Sequence, residues 1–454
     1  MVIKNGTIID PESKRMYNAD IVVRSGKIDK ILEKKNLDVV DEVDEWLTSV
    51  HERPERAGDI VIDATGLYVA PGLVDTHVHF RDPGFTEKED IRSGSESAKK
   101  GGFTQVVMMA NTKPSIDNTD TLKYVLDKGK KTGIHVHSCA NVTMGMQGKE
   151  LTDMYSLKNA GAVGFTDDGK PLMDQEIVKS AMENAMKLGV PVSFHEEDPA
   201  LISQNGINHG MASTYFRIEG SPKEAEISMI SRDINIAKEV ASGAEVDAES
   251  AKGGVVGPCF VIQHISSKEG VELVRNAKKE GLNIHAEATP HHFSLTEADI
   301  IKSGPNAKMN PPLRSEEDKE AILEGIKDGT IDIIATDHAP HTIADKQLPI
   351  TEAPSGIIGL ETSLSLGIQN LVNRGYLTYP ELMERMSTAP CRLYHLDGGT
   401  IKEGAVADFV IFAPNEIWEV TGFRSRSENS PFIGRRLPGV VKYTICEGKI
   451  VYME

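Results

Sequence analysis

Between about Pro71 and Leu396 the chain repeats one arrangement: a short apolar run, a turn, a helical stretch, then another short apolar run. Parallel strands demand this, because joining them takes a crossover long enough to carry a helix. Eight runs can be counted: LVDTHVHF (73–80), TQVVMMA (104–110), IHVHSCA (134–140), AVGFTD (162–167), VPVSFH (190–195), CFVIQH (259–264), NIHAEAT (283–289) and IDIIATD (331–337). Eight parallel strands, each followed by a helix, close into a TIM barrel. Helical patterns such as QEIVKSAMENAMKLG (175–189) and EEDKEAILEGIKDG (316–329) separate them and end at glycines suited to a C-cap. The expected fold is α/β, a (β/α)8 barrel over residues 71–396.

Both ends of the chain have a different texture. VIKNGTIID (2–10), ADIVVRSGKIDKIL (19–32) and DIVIDATGLYVAPG (59–72) alternate apolar and polar residues around hairpin-type turns, and so do residues 399–414 and 439–454. Residues 1–70 and 397–454 are therefore expected to pair as a small β-sandwich beside the barrel.

The formal charge of −18 disfavours a nucleic-acid partner, since binding a phosphate backbone needs a basic patch and none is visible. Much of the acidity falls in two polar stretches, 38–59 and 238–254, which read as surface excursions. No apolar run of ~18 residues is present and the N-terminus lacks a secretory pattern, so a cytoplasmic protein without membrane contact is expected. Cys139, Cys259, Cys391 and Cys446 are scattered, which argues for reduced thiols rather than a disulfide framework or a cysteine-based zinc site.

The chemistry is suggested by where polar residues end the apolar runs. His77 and His79 end the first, His195 the fifth, His264 the sixth and Asp337 the eighth, with Asp168 just after the fourth. C-terminal strand ends converge at one mouth of a barrel, so residues far apart in sequence meet there. Side chains two apart on a strand share a face, so both imidazoles of His77-x-His79 point the same way. Imidazoles with carboxylates suit zinc or a similar divalent ion, and six such residues suffice for one or two ions. A lone histidine ending an apolar strand is most often a satisfied buried residue, but coincidence at five ends of one barrel points to ligation. His135 and His137 sit mid-strand and read as core or interface residues. His338 should point away from the barrel axis. His51, His209 and His285 have no partner motif.

At these residues the sequence resembles the amidohydrolase superfamily, and within it the dihydroorotases of the long bacterial and archaeal type. PGLVDTHVHFRDPG (71–84), VVMMANTKP (106–114), GFTDDGKP (164–171), FHEED (194–198), QHISS (263–267), ATPHHFSLT (288–296), KMNPPLR (308–314), IATDHAPH (334–341) and APSGIIGLET (353–362) carry the resemblance in order, with GAVADFVIF and PFIGRRLPG near the C-terminus. Allantoinases, hydantoinases and dihydropyrimidinases resemble one another in a strand-four lysine that becomes carboxylated, whereas GFTDDG has no lysine. The resemblance implies an aspartate there, with spacing to the HEED histidine favouring Asp168 over Asp167. It further implies reversible hydrolysis of L-dihydroorotate to N-carbamoyl-L-aspartate in pyrimidine synthesis, with Asp337 as general base and acid. A bound divalent ion lowers the pKa of water from ~16 toward ~7 and polarises the amide carbonyl. Arg81, Asn111 and His341 are implied for the substrate carboxylate, Arg81 by its planar fork, and Asn310 for the ring. Residues 343–356, long, polar and flanked by proline and glycine, suggest a mobile lid. A homo-oligomer is implied too. Two alternatives compete: another cyclic amidohydrolase, such as an allantoinase or hydantoinase, or an inactive homologue that scaffolds aspartate carbamoyltransferase.

Overall fold

Strands from both chain ends share one sheet, and everything between them closes into a ring. The computed structural model describes residues 1–34, 60–243 and 256–454. The acidic stretch 38–59 and His51 lie outside the described residues, as does 238–254 apart from its first six positions, which complete a helix.

The outer sheet takes β1 (Val2–Asp10), β2 (Arg15–Arg24), β3 (Lys27–Glu33), β4 (Val61–Asp63) and β5 (Tyr68–Pro71) from the N-terminal segment. The ring begins with β6 (Leu73–Val78), β7 (Phe103–Met108) and β8 (His135–Ser138), and continues with β9 (Val192–Phe194), β10 (Val256–Ile262), β11 (Leu282–Ala288) and β12 (Ile333–Ile334). The sheet is completed by β13 (Phe409–Glu419), β14 (Arg436–Cys446) and β15 (Lys449–Met453).

In the sheet the order is β15-β14-β13-β5-β1-β2-β3, with β4 against β1. The expected sandwich is thus one eight-stranded mixed sheet, which bends until Lys27 bridges Val406 and Gly404 donates to the Ile28 carbonyl. That bend gives the sheet its own core, with Ile3, Ile21, Val69, Phe409 and Ile445 fully or almost fully buried.

Around the ring, β6-β7-β8 and β9-β10-β11-β12 are parallel arcs joined by parallel bridges at Ala140–Phe165, Phe165–Val192 and Val78–His338. The fourth run, 162–167, is held by the bridges at Phe165 and by Val163 N donating to the Ser138 carbonyl, and the eighth shrinks to Ile333–Ile334. In the eighth, a backbone amide that would ladder is diverted, Thr336 N donating to Asp75, and just past the fourth Asp168 N donates to the Thr166 hydroxyl. Side chains alternate as the strand period requires. Val106 and Met108 pack outward against helices, whereas Val107 and Met109 fill the barrel interior with Cys139, Val261, Ile333 and Tyr394.

The outer helices follow the expected pattern, and their ends show why they stop. α1 (Ile91–Lys100) starts at Asp90, which forms a capping box with Ser93. α2 (Thr119–Gly129) starts at Asn118, whose side chain accepts from Thr121 N. α3 (Met154–Ala160) and α4 (Gln175–Leu188) end at Gly161 and Gly189, both left-handed. α5 (Glu224–Gly243) and α6 (Lys268–Lys279) follow the next strands, and α7 (Glu316–Asp328) runs from a Ser315 capping box to left-handed Gly329. Each N-cap is worth roughly 0.5–2 kcal/mol, and buried apolar faces supply the rest of each helix's stability.

Candidate metal and substrate site

All six predicted ligand residues meet at the C-terminal mouth of the ring. His77 lies on β6 and His79 just beyond it, with ring centroids 5.2 Å apart. His195 follows β9 and His264 follows β10, with His195 Nδ1 and His264 Nε2 3.0 Å apart. Asp168 Oδ1 lies 3.5 Å from both His77 Nε2 and His264 Nε2, and 3.9 Å from His195 Nδ1. Its other oxygen is 3.5 Å from His79 Nε2. Asp337 Oδ1 lies 2.8 Å from His79 Nε2 and 3.5 Å from His77 Nε2.

These spacings suit a cation better than a hydrogen-bond network. His77 Nε2, Asp168 Oδ1 and His264 Nδ1 are buried without hydrogen-bond partners, a costly state unless something else satisfies them. Two ligand atoms at ~2.1 Å from a tetrahedral ion stand roughly 3.4 Å apart, close to the 3.5 Å separations around Asp168. Three groups of potential donors fall within 4.8 Å: His77 with His79 and Asp168, His77 with His264 and Asp337, and Asp168 with His195 and His264. The residues present fit a divalent metal ion.

The electrostatics agree. Burial alone would raise Asp168 and Asp337, but the surrounding imidazoles, His77 foremost, hold both carboxyls well below the usual range. Burial likewise opposes a charge on His77, yet Glu287, Asp168 and Asp337 together raise its pKa well above the ordinary value. The backbone is also under constraint: Arg81, His264 and Asp337 have φ of 58°, 32° and 47°. Non-glycine residues seldom adopt this left-handed region, and the cost of ~1–3 kcal/mol each persists only where neighbours hold them.

Several supporting residues were missed from the sequence. Glu287, on β11, lies 2.5 Å from His77 Nδ1 and also accepts from His264 N. This leaves His77 Nε2 facing the site, since the partner of one ring nitrogen fixes the role of the other. The signal was an acidic residue inside the apolar run NIHAEAT. Asp75 shares the inward face with His77, accepts from its amide and from Thr336 N, and burial pushes its pKa up to about 6. Glu197, inside the HEED motif, lies 3.2 Å from His195 Nε2.

Of the adjacent aspartates, Asp167 is used elsewhere. Its Oδ1 accepts from Val142 N, Thr143 N and Asn141 Nδ2, and its Oδ2 from the Thr143 hydroxyl. Asp168 alone faces the histidines.

Arg81, Asn111, Asn310 and His341 line one cavity of about 440 Å³ together with His79 and Asp337. Arg81 Nε is buried and unpartnered, and the neighbouring Asp82 is taken by Lys128 Nζ at 2.9 Å. Asn111 is already engaged at both ends, its Oδ1 lying 3.0 Å from His79 Nδ1 and its Nδ2 3.3 Å from Asp168 Oδ2. Asn310 Nδ2 is 3.2 Å from His195 Nε2, while its Oδ1 has no partner. Burial, then Arg81, keep His341 neutral, its Nε2 2.9 Å from the Ser355 carbonyl and its Nδ1 3.3 Å from Lys88 Nζ. A side chain at Gly356 would put a Cβ 2.6 Å from the His341 ring, which is why the backbone passes so close there.

Residues 351–356 line the cavity, and the segment 343–356 is tied down. Lys308 Nζ donates to the Ile350 and Ala353 carbonyls, Lys346 Nζ to those of Pro305 and Pro354. Asn429, in the excursion between β13 and β14, donates to the Ala339 and Gly356 carbonyls and accepts from His341 N. No periodicity marked it beforehand.

The remaining histidines have other work. His338 is fully buried, with its Nε2 3.5 Å from Glu89 Oε2 and its Nδ1 accepting from Gly359 N, away from the ring axis. His285, which lacked a partner motif, pairs with Asp332 at 3.2 Å, a partner contributed by the next strand run and invisible to local spacing.

The amidohydrolase family model matches residues 68–451. A dihydroorotase of Clostridioides difficile (strain 630) is 51% identical over 452 residues, covering 100% of this chain and 99% of its own. One of Clostridium acetobutylicum is 48% identical over 454 residues, with the same coverage. Among solved structures, an L-hydantoinase (dihydropyrimidinase) from Arthrobacter aurescens superposes with a TM-score of 0.82 at 26% identity, covering 100% of this chain and 96% of its own. A D-hydantoinase superposes at 0.81 with 22% identity over 100% and 95%, a likeness of fold. With a family match and full-length relatives of this similarity, the chain belongs to the amidohydrolase family, among the dihydroorotases.

Proposed function

We propose that the chain catalyses the reversible hydrolysis of L-dihydroorotate to N-carbamoyl-L-aspartate, a step of pyrimidine synthesis. The observation that carries this reading is the buried His and Asp cluster opening into a cavity that also holds an unpartnered arginine. Hydrolysis adds a water oxygen to the ring amide carbonyl carbon and breaks the carbon–nitrogen bond; the nitrogen gains a proton and a second carboxylate forms. A bound divalent ion acidifies the water and polarises the carbonyl. His77, His79, Asp168, His195, His264 and Asp337 are the residues that would hold it. Asp168 belongs to two of the donor triads, so the set would hold one or two ions. The mixed imidazole and carboxylate set suits zinc.

Asp337, kept ionised by its histidine neighbours, takes the proton from water at a carboxylate oxygen and returns it to the departing nitrogen. Arg81 pairs its fork with the substrate carboxylate, assisted by Asn111 and His341, while Asn310 hydrogen-bonds the ring. Asn111 combines this with orienting His79 and Asp168. The two domains of the reading are the barrel, 71–396, and the sheet, 1–70 with 397–454. The enzyme is cytoplasmic and homo-oligomeric, and works beside aspartate carbamoyltransferase. No helix among the described residues is long and apolar enough to cross a membrane.

The test is a side-by-side assay of purified, zinc-loaded protein with N-carbamoyl-L-aspartate, allantoin and a hydantoin. Cyclisation of the first at a rate far above turnover of the other two is expected. Preferred hydrolysis of allantoin or the hydantoin would assign the site to another cyclic amidase, and no turnover with full metal content would favour the scaffolding homologue.

A further inference from the structure

At the opposite mouth of the barrel, three potential ligands of different kinds converge from the two parts of the molecule. His135 is the first residue of β8, and Val136 packs outward, so His135 and His137 face inward. Asp408 directly precedes β13, and Cys446 ends β14. Their donor atoms lie within 4.8 Å of one another.

The carboxylate is incompletely satisfied. Asp408 is 3% exposed, and its Oδ1 accepts from Glu447 N at 2.7 Å. Its Oδ2 is buried without a hydrogen-bond partner and stands 3.2 Å from His135 Nε2, off the line of a hydrogen bond. The Cys446 thiol, equally buried, makes a 4.0 Å contact with the Thr104 carbonyl and lies against the Asp408 carboxylate, which adds to burial in raising its pKa. The backbone around them is fixed: Gly72 N donates to the Asp408 carbonyl, and Gly448 N to that of Ala407. The field favours a cation, because Asp408, Glu447 and Asp397 all raise the pKa of His135. His137 stacks beside His135 and holds its Nε2 3.1 Å from Gln105 Oε1, so it is not free to join.

An imidazole nitrogen, a carboxylate oxygen and a sulfur together select a borderline-soft divalent ion, with water completing the shell on the half-open side of His135. We propose that His135, Asp408 and Cys446 form a second, structural site for such an ion, zinc in character, that fastens the outer sheet to the barrel. Binding displaces the Cys446 proton, so occupancy rises with pH.

Cobalt provides the test, because thiolate ligation gives a near-ultraviolet charge-transfer band and the candidate ligands at the catalytic mouth include no sulfur. Metal-stripped protein is titrated with Co²⁺ as wild type, Cys446→Ser and Asp408→Asn. Wild type should develop the band; Cys446→Ser should lose it together with one equivalent of bound ion, while retaining cyclisation activity. Asp408→Asn keeps the thiol and should bind about tenfold or more weakly at this site. Circular dichroism of each variant establishes that it is folded. Absence of the band in saturated wild type, its survival in Cys446→Ser, or unchanged affinity in Asp408→Asn would each overturn the proposal.

Discussion

Asp167 and Asp168 are neighbours in sequence and opposite in employment. One ties down the loop after β8 through four hydrogen bonds, the other turns both oxygens toward histidines. Asp168→Ala should therefore lose bound metal and activity together, whereas Asp167→Ala should lower the melting temperature and keep its metal; metal analysis beside a thermal melt separates them. Asp337→Asn removes the proposed proton carrier and leaves most contacts in place, so turnover should vanish while much of the substrate affinity survives, as read by isothermal titration. Glu287→Gln keeps the shape but weakens the hold on His77, and metal affinity should fall roughly 10–100-fold in competition with a chelator. The clustered histidines and aspartates were legible because each ends or directly follows an apolar run, a position that converges on one mouth of a barrel. Glu287, Asp75 and Glu197 were harder to see, since a carboxylate that supports a ligand obeys no spacing rule of its own; only its burial among apolar neighbours betrays it.

At the level of elements, sequence periodicity recovered the helices well, because their caps are written in local residues: Asp90, Ser315, Gly189 and Gly329 all mark observed ends. The eighth strand is shorter than its apolar run, since the Thr336 amide bonds to a side chain, a competition that hydrophobic pattern does not register. The segment over the cavity was expected to be a lid, and what sequence did not reveal is how it is tied. Burial lowers Lys308 to about 8 and Lys346 to about 7, yet both spend their donors on backbone carbonyls of this region. If the segment opens to admit substrate, Lys308→Met should speed limited proteolysis within 343–356 several-fold, and saturating substrate should slow it in wild type. Identical cleavage in all three samples would mean that the segment does not move.

For the whole molecule, the barrel and the pairing of the two chain ends beside it were legible, whereas the register was not, because those strands pair across more than three hundred residues and nothing local sets it. The pH dependence of global stability is also a property of the complete fold. His292 is buried between the Thr289 hydroxyl and the Pro311 carbonyl, and burial lowers its pKa to about 3. It stays neutral in the folded chain, while an unfolded chain takes up a proton below about 6.5. Its contribution is therefore present above that value and lost as pH falls toward 3, about 2 kcal/mol of it by pH 5. Denaturant unfolding at pH 7 and pH 5 should give a loss smaller by about that amount in His292→Gln than in wild type.

The Asn429 clasp has a consequence for how the two parts of this molecule could diverge. The C-terminal segment contributes no reacting group, yet one of its side chains holds the strand-eight loop, the His341 amide and the base of the cover in a single grip. Remodelling of the outer sheet, by a bound neighbour or by drift in sequence, is thereby transmitted to the substrate cavity, and the accessory part of the chain cannot be exchanged as a neutral cassette.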